Sequence, residues 1–333
     1  MNFGMLLRSR KARVGVGVTG LSAASVVVCA VLAGCGSTHL AKQASALSSA
    51  LAPVVDQSAA AYRDAVALDN LRNDYEAVVA YKNKDATYNP RNTPVLLSEK
   101  DIQVRLSVLA ALQVYSQSLI EITKGADSPE LDAASKSVGS NLTSLGNNLA
   151  PSIENTLGIA SATASTPSPL LSPNVRNGIS TAVDALGQFL VNRTVEKELP
   201  GKIEDMDPHV QALCKVLADD IQTLQGIEQR DYDRILNLEK QFILEDEQPG
   251  KNVDPQQHRA EIMKLPEIAR QQREANERLT ALREAIDKLA LTHHALAAEA
   301  QHVNDAETLK KKLGELADAG KTLGKFYSSL PAN

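Results

Sequence analysis

Apolar residues recur along most of the chain at intervals of three and four, and proline and glycine cut the pattern into segments. That spacing lines one face of an α-helix. From Leu40 to Lys82 it predicts a first helix, with Pro53 as a kink or break. A polar stretch from Asn83 to Pro94 ends it, with Asn89-Pro90 and Thr93-Pro94 as breakers. Ser98 then reads as an N-cap, with Asp101 placed to favour the first turn. In the second helix, to about Lys124, Val108, Leu112, Tyr115, Leu119 and Ile122 form one stripe. Leu106, Leu109 and Ile120 widen it, which predicts burial on more than one side.

Gly125 stops that helix, and Ser128-Pro129 supplies a cap and an N1 proline for the third. Leu131, Ala134, Val138, Leu142, Leu145, Leu149 and Ile153 follow with an eleven-residue period, which favours straight or slightly right-handed packing. The segment from Gly158 to Pro173, holding Pro167 and Pro169, is expected to be the loop of a helical hairpin whose second arm runs from Asn174 to Leu199. A fifth helix is expected from Asp207-Pro208 to Leu244, carried by Leu213, Leu217, Ile221, Leu224, Ile235, Leu238 and Phe242. Asp254-Pro255 and Gln257 read as a cap, an N1 proline and a capping-box partner, and Pro266 as an interruption. Ala275, Leu279, Leu282, Ile286, Leu289, His293, Leu296, Ala300 and Val303 then keep a 4-3-4-3 rhythm, the seam of a coiled coil. Asn304, Asp305 and Glu307 read as the cap of a last helix bearing Leu309, Leu313, Leu316, Leu323 and Tyr327. The short turn from Glu245 to Asn252 makes the fifth and sixth helices antiparallel neighbours. The expected fold is all-α: an elongated helical bundle of about six to seven helices, with a long antiparallel coiled-coil-like hairpin in its C-terminal half.

Composition supports this. Of 333 residues 43% are hydrophobic but only 3% aromatic, and there is no tryptophan, so the aromatic runs that fill sheets are missing. A net charge of −5 offers no basic excess to neutralise phosphates, which excludes nucleic acid as the expected partner. Charge is uneven: 26 charged residues lie in positions 35–195 and 45 in 196–333. A boundary near Pro200-Gly201 would divide a low-charge half, 35–200, from a charged hairpin half, 201–333, either as two domains or as one continuous bundle.

The N-terminus is read apart from the fold. Arg8, Arg10, Lys11 and Arg13 precede an uncharged stretch from Val14 to Val31, which ends in Leu32-Ala33-Gly34-Cys35. This resembles the lipobox of bacterial lipoproteins at all four positions. The resemblance implies that residues 1–34 are a signal peptide, that Leu32, Ala33 and Gly34 are read by the signal peptidase, and that Cys35 carries the lipid, palmitate included. It places the chain in the bacterial cell envelope, and Gly36 and Ser37 in place of an aspartate favour the outer membrane over the inner. The competing reading is an uncleaved membrane anchor with an incidental cysteine. Cleavage would remove four cationic side chains and no acids, taking the charge from −5 to −9. Cys214 would then be the one free thiol, in an apolar helical stretch that suits a buried, inert group.

Catalytic constellations fail on spacing. His293, His294 and His302 are the candidate metal ligands, but His294 and His302 stand eight residues apart, roughly 12 Å along a helix, too far to share one ion. No glycine-rich phosphate loop, nucleophile elbow or C-x-x-C occurs. Asp219-Asp220 and Glu245-Asp246-Glu247 read as a solvated face and a turn. The expectation is a non-enzymatic, cofactor-free scaffold or interaction module, held to a membrane by lipid and meeting a protein, an envelope polymer or a second copy of itself. Residues 155–192, with only Arg176 and Asp184 charged, support an alternative: a membrane-perturbing hairpin like those of helical pore-forming toxins. A small-ligand or metal carrier is a third reading.

Overall fold

The computed structural model describes residues 35–93, 95–124, 129–162, 173–192, 199–249, 251, 253–301 and 306–328. Cys35–Asn333 forms one compact unit. Its helices are α1 (Cys35–Lys82), α2 (Glu99–Lys124), α3 (Pro129–Ala162), α4 (Pro173–Val191), α5 (Leu199–Asp246), α6 (Pro255–Gln301) and α7 (Ala306–Ser328), with a 3-10 turn at Pro90–Asn92. Among the described residues there is no strand. The fold is the expected all-α bundle, and α5 and α6 form its long antiparallel hairpin.

Local chemistry explains the starts of α2 and α6. Asp101 closes a capping box at α2: its Oδ2 accepts from the Ser98 backbone N–H (3.1 Å) and hydroxyl (2.5 Å), and its own N–H donates to Ser98 Oγ (3.2 Å). Asp254 caps α6 by accepting from the Gln256 N–H at 2.9 Å. Gln257, expected to complete that cap, instead donates to Glu261 one turn on.

Three prolines expected to break or start helices lie inside them: Pro53 in α1, Pro208 in α5 and Pro266 in α6. In α5 the reason is burial. Leu199, Ile203, Met206 and Val210 extend the apolar stripe back at 4-3-4 spacing, and packing that face outweighs one missing N–H. Hence α4 ends at Val191, short of Leu199, and α5 starts eight residues before Asp207. Pro266 sits on an exposed face, where water can satisfy the carbonyl it frees. α3 runs on to Ala162, past the expected loop start at Gly158. The remainder of that loop, 163–172, lies outside the described residues, as do Leu32, Ala33, Gly34, His302, Val303, Asn304 and Asp305.

One hydrophobic cluster runs from Ala44 on α1 to Leu323 on α7 and draws on every α-helix between. It spans both sides of the composition shift, and Pro200-Gly201 falls in the first turn of α5. From the 155–192 segment, Ile179, Val183, Leu186, Phe189 and Leu190 are buried in it, whereas Val191 is exposed. At the α3–α4 crossing, a Cβ added to Gly139 would stand 2.7 Å from the Gly187 carbonyl oxygen and 2.9 Å from Val191 Cγ2. Gly139→Val must therefore push the two helices apart, and a loss of about 1–3 kcal/mol is expected. Urea unfolding measures it; an unchanged midpoint would contradict the crossing.

The cluster ends at Ala65 on α1, Ile227 on α5 and Leu279 on α6. Beyond those positions the three helices continue as an arm with a thinner apolar interior, Leu68, Ile235, Leu238 and Ile243, flanked by polar pairs. Tyr75 donates to Glu239 (2.8 Å), Lys264 pairs with Glu239 (3.0 Å) and Lys82 with Glu245 (2.9 Å). Arg234 pairs with Glu76 through both oxygens.

Candidate functional site

Three polar clusters stand one above another where a bundle this apolar would bury leucine. The lowest lies between α2, α5 and α6 and holds two of the candidate metal ligands. His293 is 1% exposed, on the coiled-coil seam. Its Nδ1 is 2.9 Å from Asp207 Oδ1 and its Nε2 is 3.0 Å from the Tyr115 hydroxyl. A neutral ring that donates from Nδ1 and accepts at Nε2 satisfies every partner. His294 Nδ1 lies 2.7 Å from the other Asp207 oxygen, and Gln211 donates to Asp207 Oδ1 at 3.3 Å. Burial pulls the Asp207 carboxyl upward, but the bonds from His293 and His294 hold it down at about 2. Burial raises the Tyr115 hydroxyl, with the Asp207 charge adding to it. Both His293 nitrogens are thus committed inside the protein, and among the described residues no group of three histidine, cysteine or acidic side chains could hold a metal ion.

The middle cluster joins α1, α2, α3 and α5 around Arg105, which is fully buried. Its Nε donates to Asp220 Oδ2 at 2.7 Å, and one terminal nitrogen donates to Asp220 Oδ1 at 2.9 Å and to Thr156 Oγ1 at 2.8 Å. The other donates to the Asp101 carbonyl at 3.1 Å and to Ser152 Oγ. Tyr62 adds a hydrogen bond to Asp220 Oδ2 at 3.1 Å. All five guanidinium N–H groups have an acceptor. Burial opposes the arginine's charge, but Asp220 outweighs it and raises its pKa. Asp220, expected on a solvated face, is 3% exposed; its neighbour Asp219 is the exposed one, paired with Lys215.

The upper cluster lies at the root of the arm. Arg72 bridges Asp69 (2.7 Å) and Asp231 (2.9 Å), and Arg278 pairs with Asp64 (3.0 Å). Glu228 and Asp231 are 3% and 7% exposed, yet Glu228 Oε1 and Asp231 Oδ2 have no hydrogen-bond partner among the described residues. Burial drives Glu228 up to about 7 and Asp231 up to about 6, against the pull of Arg278 and Arg72 respectively.

None of these groups pairs a nucleophile with a base at an open surface. Cys214 is buried, and burial pushes its thiol up to about 12, as expected of an inert group. Among the described helices, none is long and apolar enough to cross a membrane. No family model matches the chain, and neither does any curated protein or solved structure.

Proposed function

We propose that this chain is a lipid-anchored envelope protein of bacteria, a non-enzymatic helical module fixed to the membrane at Cys35 and presenting its far end to a partner. The observation that carries the reading is the lipobox resemblance at Leu32-Ala33-Gly34-Cys35. From Cys35, the residue it assigns to the lipid, the described chain continues as one helix of 48 residues. At about 1.5 Å per residue its ends stand roughly 70 Å apart.

Leu40 already packs against the core and Ala44 is fully buried. Five positions, about 8 Å of helix, separate the lipid site from the first residue packed on the bundle. A lipid there holds the bundle against the bilayer and leaves the arm to reach outward. Several acyl chains on one residue supply stable attachment where one would not. The buried polar groups support a scaffold: they bind one another across helices and fix their register.

Cys35→Ser tests the anchor. Wild type is expected to take up radiolabelled palmitate and to fractionate with membranes, whereas the variant loses the label and accumulates as uncleaved precursor. Normal labelling and maturation of the variant would overturn the proposal.

A further inference from the structure

The far end of α1 carries a cleft of about 280 Å³, walled on one side by α1 and on the other by Thr87, Tyr88, Asn89, Asn92 and Thr93. Its size is near the lower end of small-molecule sites, roughly 300–1,000 Å³. Two features of its chemistry stand out. Its charged side chains are spoken for: Arg72 by Asp69 and Asp231, and Glu76 by Arg234. What remains is neutral and polar. Asn73, Asn89 and Asn92 contribute three carboxamides, and Tyr88 contributes a ring that is 36% exposed.

The wall is held in place before any ligand arrives. Asp85 Oδ1 accepts from both the N–H (2.8 Å) and the hydroxyl (2.6 Å) of Thr87, after a left-handed residue at Lys84 (φ 52°). Asn89 Oδ1 accepts from the Arg91 N–H at 3.0 Å, and the Thr93 hydroxyl donates to the Pro90 carbonyl at 2.9 Å. These bonds leave the Asn89 amide nitrogen, the whole Asn92 carboxamide and the Tyr88 hydroxyl with no hydrogen-bond partner among the described residues. A carboxamide offers donor and acceptor together, the complement of a sugar hydroxyl, which is also both. The Tyr88 ring, partly exposed beside them, offers apolar surface to the C–H side of a sugar ring. Paired-off charge disfavours a phosphate or sulfate, and a rigid wall lowers the ordering cost of binding.

We infer that this cleft binds a neutral glycan strand. The inference deepens the anchored-module reading by naming what the far end holds. It rests on that reading only for where the strand lies: α1 residues 72–76 are roughly 55–60 Å along the helix from Cys35.

The test is calorimetric titration of the purified full chain, in detergent, with β-1,4-linked N-acetylglucosamine tetrasaccharide and with maltotetraose. At least one should bind saturably, and about tenfold tighter than its own monosaccharide, because a strand uses more of the cleft than one ring does. Tyr88→Ala and Asn92→Ala, both at the surface, should each weaken binding about tenfold while the thermal melt stays put, and Lys215→Ala on an exposed face of α5 should leave it unchanged. No saturable binding of either sugar, binding indifferent to both cleft variants, equal binding of the monosaccharide, or displacement by inorganic phosphate would each overturn the assignment. None of these outcomes touches palmitate labelling or fractionation, so the two readings fail separately.

Discussion

Arg105→Ala is expected to lower the unfolding free energy by about 3–5 kcal/mol, because it leaves the Asp220 carboxylate charged and almost unpaired in the core. Asp220 keeps only the Tyr62 hydroxyl, and Ser152 and Thr156 lose a donor each. Most of this loss comes from stranding a charge, and only a minor part from the pair's own attraction. Removing both charges at similar volume, as Arg105→Met with Asp220→Leu, should therefore recover most of it. Chemical denaturation of the two variants beside wild type is the measurement. A loss under about 1 kcal/mol for Arg105→Ala, or a double variant no better than the single one, would sink the argument.

The second large effect depends on pH. Glu228 has an ordinary value of 4.5, and burial raises it to about 7 in the folded chain. The folded state therefore holds this proton more tightly than the unfolded state does. The resulting stability is fully present below about pH 4.5 and is lost as pH rises through 7. Facing groups come from all three helices of the arm: Asp64 on α1 and Asp231 on α5 oppose ionisation, and Arg278 on α6 favours it. Glu228→Gln keeps the shape and never ionises. At pH 8 it should stabilise the protein by about 2–3 kcal/mol, and near pH 4.5 it should change little. Unfolding curves of both proteins at the two pH values decide this. The same gain at both would assign the effect to something other than ionisation.

How much of this could be read beforehand differs between scaffold and site. The seam from Ala275 to Leu296 is buried as its spacing predicts, because a 4-3-4-3 pattern leaves a helix only one face to bury. Ser98 with Asp101, and Asp254 with Pro255, mark helix starts through local hydrogen bonds that need no tertiary context. Pro208 misled because its local cost is set against the burial of Leu199, Ile203 and Met206, whose partners are far away in sequence. The Arg105 centre left only a faint trace. Asp101, Arg105, Val108 and Leu112 share one 4-3-4 stripe, so a charge stands in an apolar row, and Asp220 holds the equivalent place between Leu217 and Leu224. Nothing local says that the two meet, since 115 residues separate them. His293 is legible as a seam residue, but its partner Asp207 reads only as the start of the fifth helix. Only the packing of α5 against α6 turns that carboxylate toward two imidazoles.

The core along α1, α5 and α6 thins toward the arm, so the two ends of the same helices differ in how much charge lies beside their buried hydrocarbon. Around the apolar cluster, cohesion comes from burying hydrocarbon and weakens on cooling. Past Ala65, Ile227 and Leu279 a smaller apolar set, Leu68, Ile235, Leu238 and Ile243, continues that burial, and ion pairs such as Lys82–Glu245 and Lys264–Glu239 beside it are screened by dissolved salt. Added salt therefore acts more on the arm than on the base, along one continuous helix.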